Sequence, residues 1–236
     1  MVYRIVDFNI GIDCIHRGTE VILSPYLCDN CDNADFFVRA TDAEMAQMEK
    51  DFAKFYGNTE HSPVYIERLV LHKKISDEIL ARDGFMIHGA LIEYGGTGYL
   101  FTAQSGTGKT THVELWKKRF GDAVHIVNGD KPFMRVIDGE LYGYGSPWCG
   151  KENYNINTRV KLSKLCFIER GKENSIGEIS ESEAVSRLMS QVEITTSRDL
   201  AAQLAMLDVL MEKCQRYLLK CNMDITAADV AYNGMK

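Results

Sequence analysis

Hydrophobic and polar positions alternate from the start of the chain. Over residues 2–14, Val6, Phe8, Ile10, Ile12 and Cys14 fall on one side, the period expected of a half-buried strand. The polar run CDNCDNAD at 28–35 reads as an exposed loop, and ADFFVRA at 34–40 reads as a second strand. Thr41 with Glu44 three residues on forms a capping box, which predicts a helix to about Phe55. GNTEHSP at 57–63 separates it from a further helix, Val64 to about Ala81. A domain boundary is placed there, giving a small α+β region over 1–62 and a larger domain over 63–236.

From Gly84 the pattern changes to strand, glycine-rich turn and helix. FMIHGALIEY at 85–94 and TGYLFTA at 97–103 predict two strands joined through Gly95 and Gly96. The next helix carries Val113, Trp116 and Phe120 on one face, followed by the apolar strand AVHIVN at 123–128. RVIDGELYGYG at 135–145 alternates about Asp138-Gly139, a strong hairpin signal. KLCFIE at 164–169 predicts another strand. Ser180 with Glu183 opens a helix through Val185, Leu188, Met189 and Val192. A second begins at Ser197, with Leu200, Leu204, Leu207, Met211 and Cys214 in one stripe that reads as core. No internal repeat or low-complexity segment interrupts this order.

Composition narrows the function classes. The 236 residues are 45% hydrophobic and 25% charged, proportions of a globular chain, with net charge −6. No basic patch occurs, which argues against a nucleic-acid partner, though a single nucleotide stays within reach. No run of about 18 apolar residues is present, so no membrane span is expected. Nor does the N-terminus, with Asp7 and Asp13, have the apolar centre of a signal peptide. Seven scattered cysteines fit a reducing compartment, and the expected location is cytoplasmic. Cys28 and Cys31 have CxxC spacing without a second ligand pair, leaving a zinc site or a loop with two free thiols as the readings.

The segment that carries chemistry is AQSGTGKT, Ala103 to Thr110, between a predicted strand and a predicted helix. It fits the phosphate-loop pattern with Ala103 in the first glycine's place. Gly106 and Gly108 let backbone N–H groups converge on an anion, and the helix start directs its own N–H groups there. Lys109 supplies a positive charge for the outer phosphates, and the Thr110 hydroxyl is a candidate Mg²⁺ ligand. Asp130 ends the strand at 123–128, so an open α/β sheet would bring it to the same edge. It is a candidate metal ligand or base, against the alternative of a turn aspartate in Gly-Asp-Lys-Pro.

HGALIEYGGTGYLFTAQSGTGKTTHVELW resembles the catalytic core of the HPr kinase/phosphorylase family, and SGTGKTT is similar to the loop of ATP-dependent phosphoenolpyruvate carboxykinases. Taken with SPWCGKEN at 146–153 and the C-terminal LKCNMDITAADVAYNGM, the whole chain resembles short HPr-kinase-like proteins. The resemblance implies an α/β fold, a P-loop core of mixed sheet flanked by helices. It implies Ser105, Gly106, Thr107, Gly108, Lys109, Thr110 and Thr111 as the phosphate cradle, with Thr110 holding magnesium. It puts Asp130 in the place of the second of two aspartates and Gly129 in the place of the first. His88 matches the family's strand histidine near the transferred phosphate. IERG at 168–171 lies where the family carries a Glu-x-Arg-Gly signature, which makes Glu169 a candidate second metal residue. Lys151 and Arg159 are weaker candidate phosphate contacts, while His112 and His125 read as structural.

The function expected is ATP- and Mg²⁺-dependent transfer of a γ-phosphoryl group to a hydroxyl, serine on a small protein or peptide, with catalysis by Asp130, Lys109 and His88. The alternatives are a non-catalytic nucleotide-binding regulator and a phosphoenolpyruvate-carboxykinase-like enzyme acting on a small organic acid. Family members assemble as hexamers, so a homo-oligomer is among the things the resemblance implies.

Overall fold

Val6 and Asp7 both take positive φ, 55° and 61°, and turn the alternating N-terminal run back on itself. The single strand expected over 2–14 is therefore a hairpin: β1 (Val2–Ile5) pairs antiparallel with β2 (Phe8–Asp13). Its apolar alternation survives on both arms, with Tyr3, Ile5, Phe8, Ile10 and Ile12 all buried. The computed structural model describes residues 1–28, 33–57, 61–189 and 200–236. They form two compact units, Met1–Ile79 and Leu80–Lys236.

The first unit continues with α1 (Arg17–Leu23), then β3 (Phe36–Arg39), which pairs parallel with β2. The capping box forms as its spacing predicts: Thr41 Oγ1 accepts from the Glu44 amide and Glu44 accepts from the Thr41 amide, opening α2 (Asp42–Tyr56). The last helix is α3 (Pro63–Leu80). The sequence reading ends the first region at residue 62, whereas here α3 belongs with the N-terminal strands. Glu67 is the reason. Fully buried on α3, its carboxylate accepts from the Ile15 amide at 2.5 Å, the His16 amide at 3.2 Å and the Thr19 hydroxyl, capping α1 where no local side chain does so. Lys74 of α3 also reaches Glu44 of α2 at 2.7 Å. Cys28 is disulfide-bonded, which corrects the free-thiol reading for that residue; Cys31 lies outside the described residues.

The second unit is a mixed sheet of nine strands among the described residues, with helices on both faces. The run 85–94, expected as one strand, breaks at Ile87 and His88 into β4 (Gly84–Met86) and β5 (Gly89–Tyr94). There follow β6 (Thr97–Thr102), α4 (Lys109–Phe120) and β7 (Val124–Asn128). The hairpin of β8 (Phe133–Ile137) and β9 (Glu140–Tyr144) turns at Asp138 and Gly139, both at positive φ as an Asp-Gly turn requires. Next come the long β10 (Arg159–Arg170), β11 (Ser175–Glu178), α5 (Glu181–Leu188), α6 (Leu200–Lys213), β12 (Gln215–Cys221) and α7 (Thr226–Gly234). Val192, assigned by periodicity to the helix after Ser180, lies outside the described residues.

Pairing fixes the direction of the site. β5 runs antiparallel to both β6 and β7, and β10 runs parallel to β6, so β6, β7 and β10 all end at one edge, where β5 begins. Alternation along these strands feeds two cores. Leu91, Leu100, Leu165 and Phe167 pack with Leu188 of α5 and Leu207, Leu210 and Met211 of α6. Ala90, Ile92, Tyr99, Phe101 and Cys166 pack on the other face with Val113 and Trp116 of α4 and Ala228 and Ala231 of α7. Only the second half of the expected α6 stripe is core, since Leu200 and Leu204 are exposed.

His112 belongs to the α4 core. Its Nε2 accepts from Trp116 Nε1 at 2.9 Å and its ring meets Phe101 edge-on at 4.7 Å. Burial pushes its pKa down to about 3. The unfolded chain then takes up a proton near pH 6.5 that the folded one refuses until about 3, so this contribution to stability is complete above 6.5 and is lost as pH falls through that window. His112→Gln is expected to lose less of its melting temperature than wild type between pH 7 and pH 5. Equal losses would contradict the assignment.

Candidate active site

β6 ends at Thr102, and the chain turns through 103–108 before α4 begins at Lys109. Two glycines make the turn. Gly106 at φ 78° and Gly108 at φ 121° hold backbone conformations that side chains disfavour. No side chain caps α4 and no acidic residue lies in its first turn, whereas α2 and α5 are capped by Thr41 and Ser180 and begin with acidic residues. The first amides of α4 thus remain as donors for an anion, with the helix dipole favouring negative charge. Ser105 and Gly106 are exposed, Thr107, Gly108, Thr110 and Thr111 half-buried.

Lys109 is buried and folds back, its Nζ donating to the Ala103 carbonyl at 2.9 Å. Burial lowers its pKa and the nearby Asp130 charge opposes that shift. A cation is thereby stored inside the loop that its own backbone frames.

Asp130 and His88 meet at this edge. His88 Nε2 lies 3.2 Å from Asp130 Oδ1, each side chain about a third exposed or less. The break between β4 and β5 is what frees His88 from a regular ladder. Its carbonyl accepts from Thr102 Oγ1 at 2.9 Å, and the next amide, Gly89, donates to the Asp130 carbonyl at 2.8 Å. Burial pushes the Asp130 carboxyl up, but the His88 hydrogen bond, with the charges of His88, Lys131 and Lys109, more than offsets it and holds the pKa below the ordinary carboxylate value.

Asn128 shapes the turn that carries Asp130, and sequence reasoning did not single it out. Fully buried, its Oδ1 accepts from the amides of Asp130 at 2.9 Å and Lys131 at 2.8 Å, while its Nδ2 donates to Ser146 O and Oγ at 3.0 and 3.1 Å. The available signal was an asparagine two residues before a Gly-flanked aspartate, an Asx-turn arrangement. Gly129 packs against the 146–154 loop. A Cβ there would lie 3.1 Å from Cys149 O and 3.2 Å from Tyr154 Cβ, so the position has little room for a second aspartate.

On the other side of the loop stand Glu169 and Arg170, the last residues of β10. Arg170, also not singled out from sequence, donates from Nη2 to Gly106 O at 2.6 Å and from Nε to Thr107 O at 3.3 Å, bracing the loop from outside. Glu169 accepts from Arg187 Nη1 of α5 at 2.7 Å, and Glu183 accepts from the same guanidinium. Lys151 is exposed on the loop whose Gly150 backs onto Asp130. Arg159 sits at the start of β10, over the Tyr142 ring at 4.9 Å, at the opposite end of that strand from Arg170.

Among the described residues no group of three or more His, Cys, Asp or Glu side chains could hold a metal by itself. The Thr110 hydroxyl and the ionised Asp130 carboxylate are hard oxygen donors beside the loop. They fit Mg²⁺, which takes one or two protein ligands and completes its shell with phosphate oxygens and water.

No protein-family model and no curated protein sequence matches the chain. Among solved structures it is similar to the Hpr(Ser) kinase/phosphatase from Coxiella burnetii, with 11% identity and a TM-score of 0.38, over 63% of this chain and 94% of that one. No helix among the described residues is long and apolar enough to cross a membrane.

Asn128→Ala removes the acceptor for two amides and the donor to Ser146. Stability in urea is expected to fall by about 2 kcal/mol with an unchanged denaturant slope. A midpoint equal to wild type would show that Asn128 does not hold the turn.

Proposed function

We propose that this protein is a phosphotransferase that binds ATP at the 103–110 loop and transfers its γ-phosphoryl group to a hydroxyl, that of serine on a small protein or peptide. The observation that carries the reading is the convergence of an uncapped helix start, the buried Lys109 and the His88–Asp130 pair at one sheet edge. The choice of serine as acceptor rests on the resemblance of the 88–116 segment to HPr kinases.

The tasks divide among few residues, and Asp130 takes two of them. The amides of 106–110 cradle the phosphates, and Lys109 leaves Ala103 to meet the outer ones. Asp130, kept ionised by its neighbours, accepts the proton of the attacking hydroxyl, while His88 fixes the carboxylate's direction. Thr110 and Asp130 would hold Mg²⁺, which when bound neutralises charge on the phosphate oxygens. Phosphoryl transfer needs mainly such positioning and charge stabilisation, so this small set suffices. Glu169 is committed to Arg187, which favours giving the metal to Thr110 and Asp130.

A second reading, a non-catalytic nucleotide-binding regulator, is favoured by Gly129, where a first aspartate would crowd Cys149 and Tyr154. Asp130→Asn separates the two. Saturating MgATP is expected to raise the wild-type melting temperature by about 5–10 °C, as it should for Asp130→Asn but not for Lys109→Ala. ADP release in the presence of serine-containing peptides is expected to fall about a hundredfold or more in Asp130→Asn. A melting shift without turnover in wild type would support the regulator. An equal shift in Lys109→Ala would remove the loop from the account.

A further inference from the structure

In the first unit, β3 is the outermost strand of a sheet ordered β1-β2-β3 among the described residues. The pairing sets which of its backbone groups face away from β2. Met1 and Ile12 exchange both backbone hydrogen bonds, at 3.1 and 2.9 Å, so the backbone of Ile12 faces β1. By alternation Asn9 and Gly11 face β3, and Asn9 O accepts there from the Asp35 amide at 2.7 Å. Gly11 lies opposite Phe37, and in a parallel ladder such a residue bonds to the two neighbours of its opposite. The N–H and C=O of Phe37 itself therefore point out from the edge.

Exposed edges are commonly guarded by a lysine, a proline or a bulge. The segment DFFVR, Asp35 to Arg39, has none of these, and its register with β2 is unbroken. Phe36 and Val38 are buried on the inner face, while Asp35, Phe37 and Arg39 are exposed on the outer one. Phe37 is 78% exposed although its ring lies over Gly11, in the space a Cβ there would need. Asp35 is fixed at the edge, its Oδ2 accepting from the Asn9 amide at 2.7 Å. Arg39 has Asp13 as its register partner, yet no ion pair joins it to any described residue. The outer row is thus acid, aromatic, base. Laid antiparallel on itself about Phe37, it is its own complement: Asp35 meets Arg39 twice, and Phe37 meets Phe37. A pair centred there is also the hydrogen-bonded kind that the outward N–H and C=O of Phe37 demand. Parallel self-pairing would instead set like charges opposite one another.

We propose that β3 is the contact between two copies of this chain, paired antiparallel about a twofold axis at Phe37. The two three-stranded sheets then join edge to edge, as a self-complementary patch permits. A contact of one short strand a side is small, so the dimer is weak and concentration-dependent. It stands apart from the phosphotransfer reading and does not require it.

Sedimentation equilibrium of the full chain tests it. Wild type is expected to pass from monomer to dimer as its concentration rises. Phe37→Lys and Arg39→Asp are each expected to raise the dissociation constant about tenfold or more. Both positions are exposed, so their melting temperatures should stay near that of wild type. Asp35→Arg is expected to repel itself, as Arg39→Asp does, but the two variants complement each other. An equimolar mixture of them should therefore restore dimers that neither forms alone. Wild type that stays monomeric up to about 1 mM would overturn the proposal. So would a dimer that Phe37→Lys and Arg39→Asp leave at wild-type strength, or a mixture that fails to regain it.

Discussion

β6 runs in the same direction as β10 and, across β5, as β7, and the proposed phosphate site depends on that arrangement. Three strands deliver their C-terminal residues to one edge: the loop after Thr102, the Asn128–Asp130 turn after β7, and Glu169 with Arg170 at the end of β10. Had β7 paired in the opposite sense, Asp130 would stand at the far edge of the sheet, several strand residues from Lys109. Two cores keep the strands in that order, because each buries alternate residues on a different face and a one-residue slip would exchange them.

Electrostatics then divides the edge into two compartments. Near β5 and β7, a buried lysine faces a carboxylate held ionised, a balance that an incoming anion and a metal ion would both alter. Near β10, the charged groups are held in fixed contacts, Arg187 with Glu169 and Glu183, and Arg170 with loop carbonyls. The loop separates them and is braced from both sides, by Lys109 within and Arg170 without.

Local chemistry was legible in the sequence wherever it obeyed a short-range rule. The capping box at Thr41 and Glu44, the Asp138-Gly139 hairpin and the glycine-rich turn before Lys109 all depend on neighbours within a few residues. What depended on distant partners was not legible. The alternation over 2–14 keeps period two on both arms of the hairpin, and only its change of phase, from Tyr3 and Ile5 to Phe8, Ile10 and Ile12, marks the turn at Val6 and Asp7. The run 85–94 is mostly apolar, and His88-Gly89 within it reads as part of one strand until the pairing shows the break between β4 and β5. Glu67 joins α3 to residues some fifty positions earlier, and Arg170 meets Gly106 across sixty-four. The C-terminal strand β12 and helix α7, which complete the sheet and its second face, were not predicted as elements; that segment entered only as part of the resemblance. Asn128 was visible but unremarkable until its four hydrogen bonds were seen together.

The central claim is that the 103–110 loop is a phosphate site whose lysine waits on the loop's own backbone. A crystal structure with magnesium and a non-hydrolysable ATP analogue tests it most directly. The account predicts phosphate oxygens within hydrogen-bond distance of the amides of 106–110, with Lys109 Nζ moved from Ala103 O to the outer phosphates. An analogue bound elsewhere, with Lys109 still on Ala103, would contradict it.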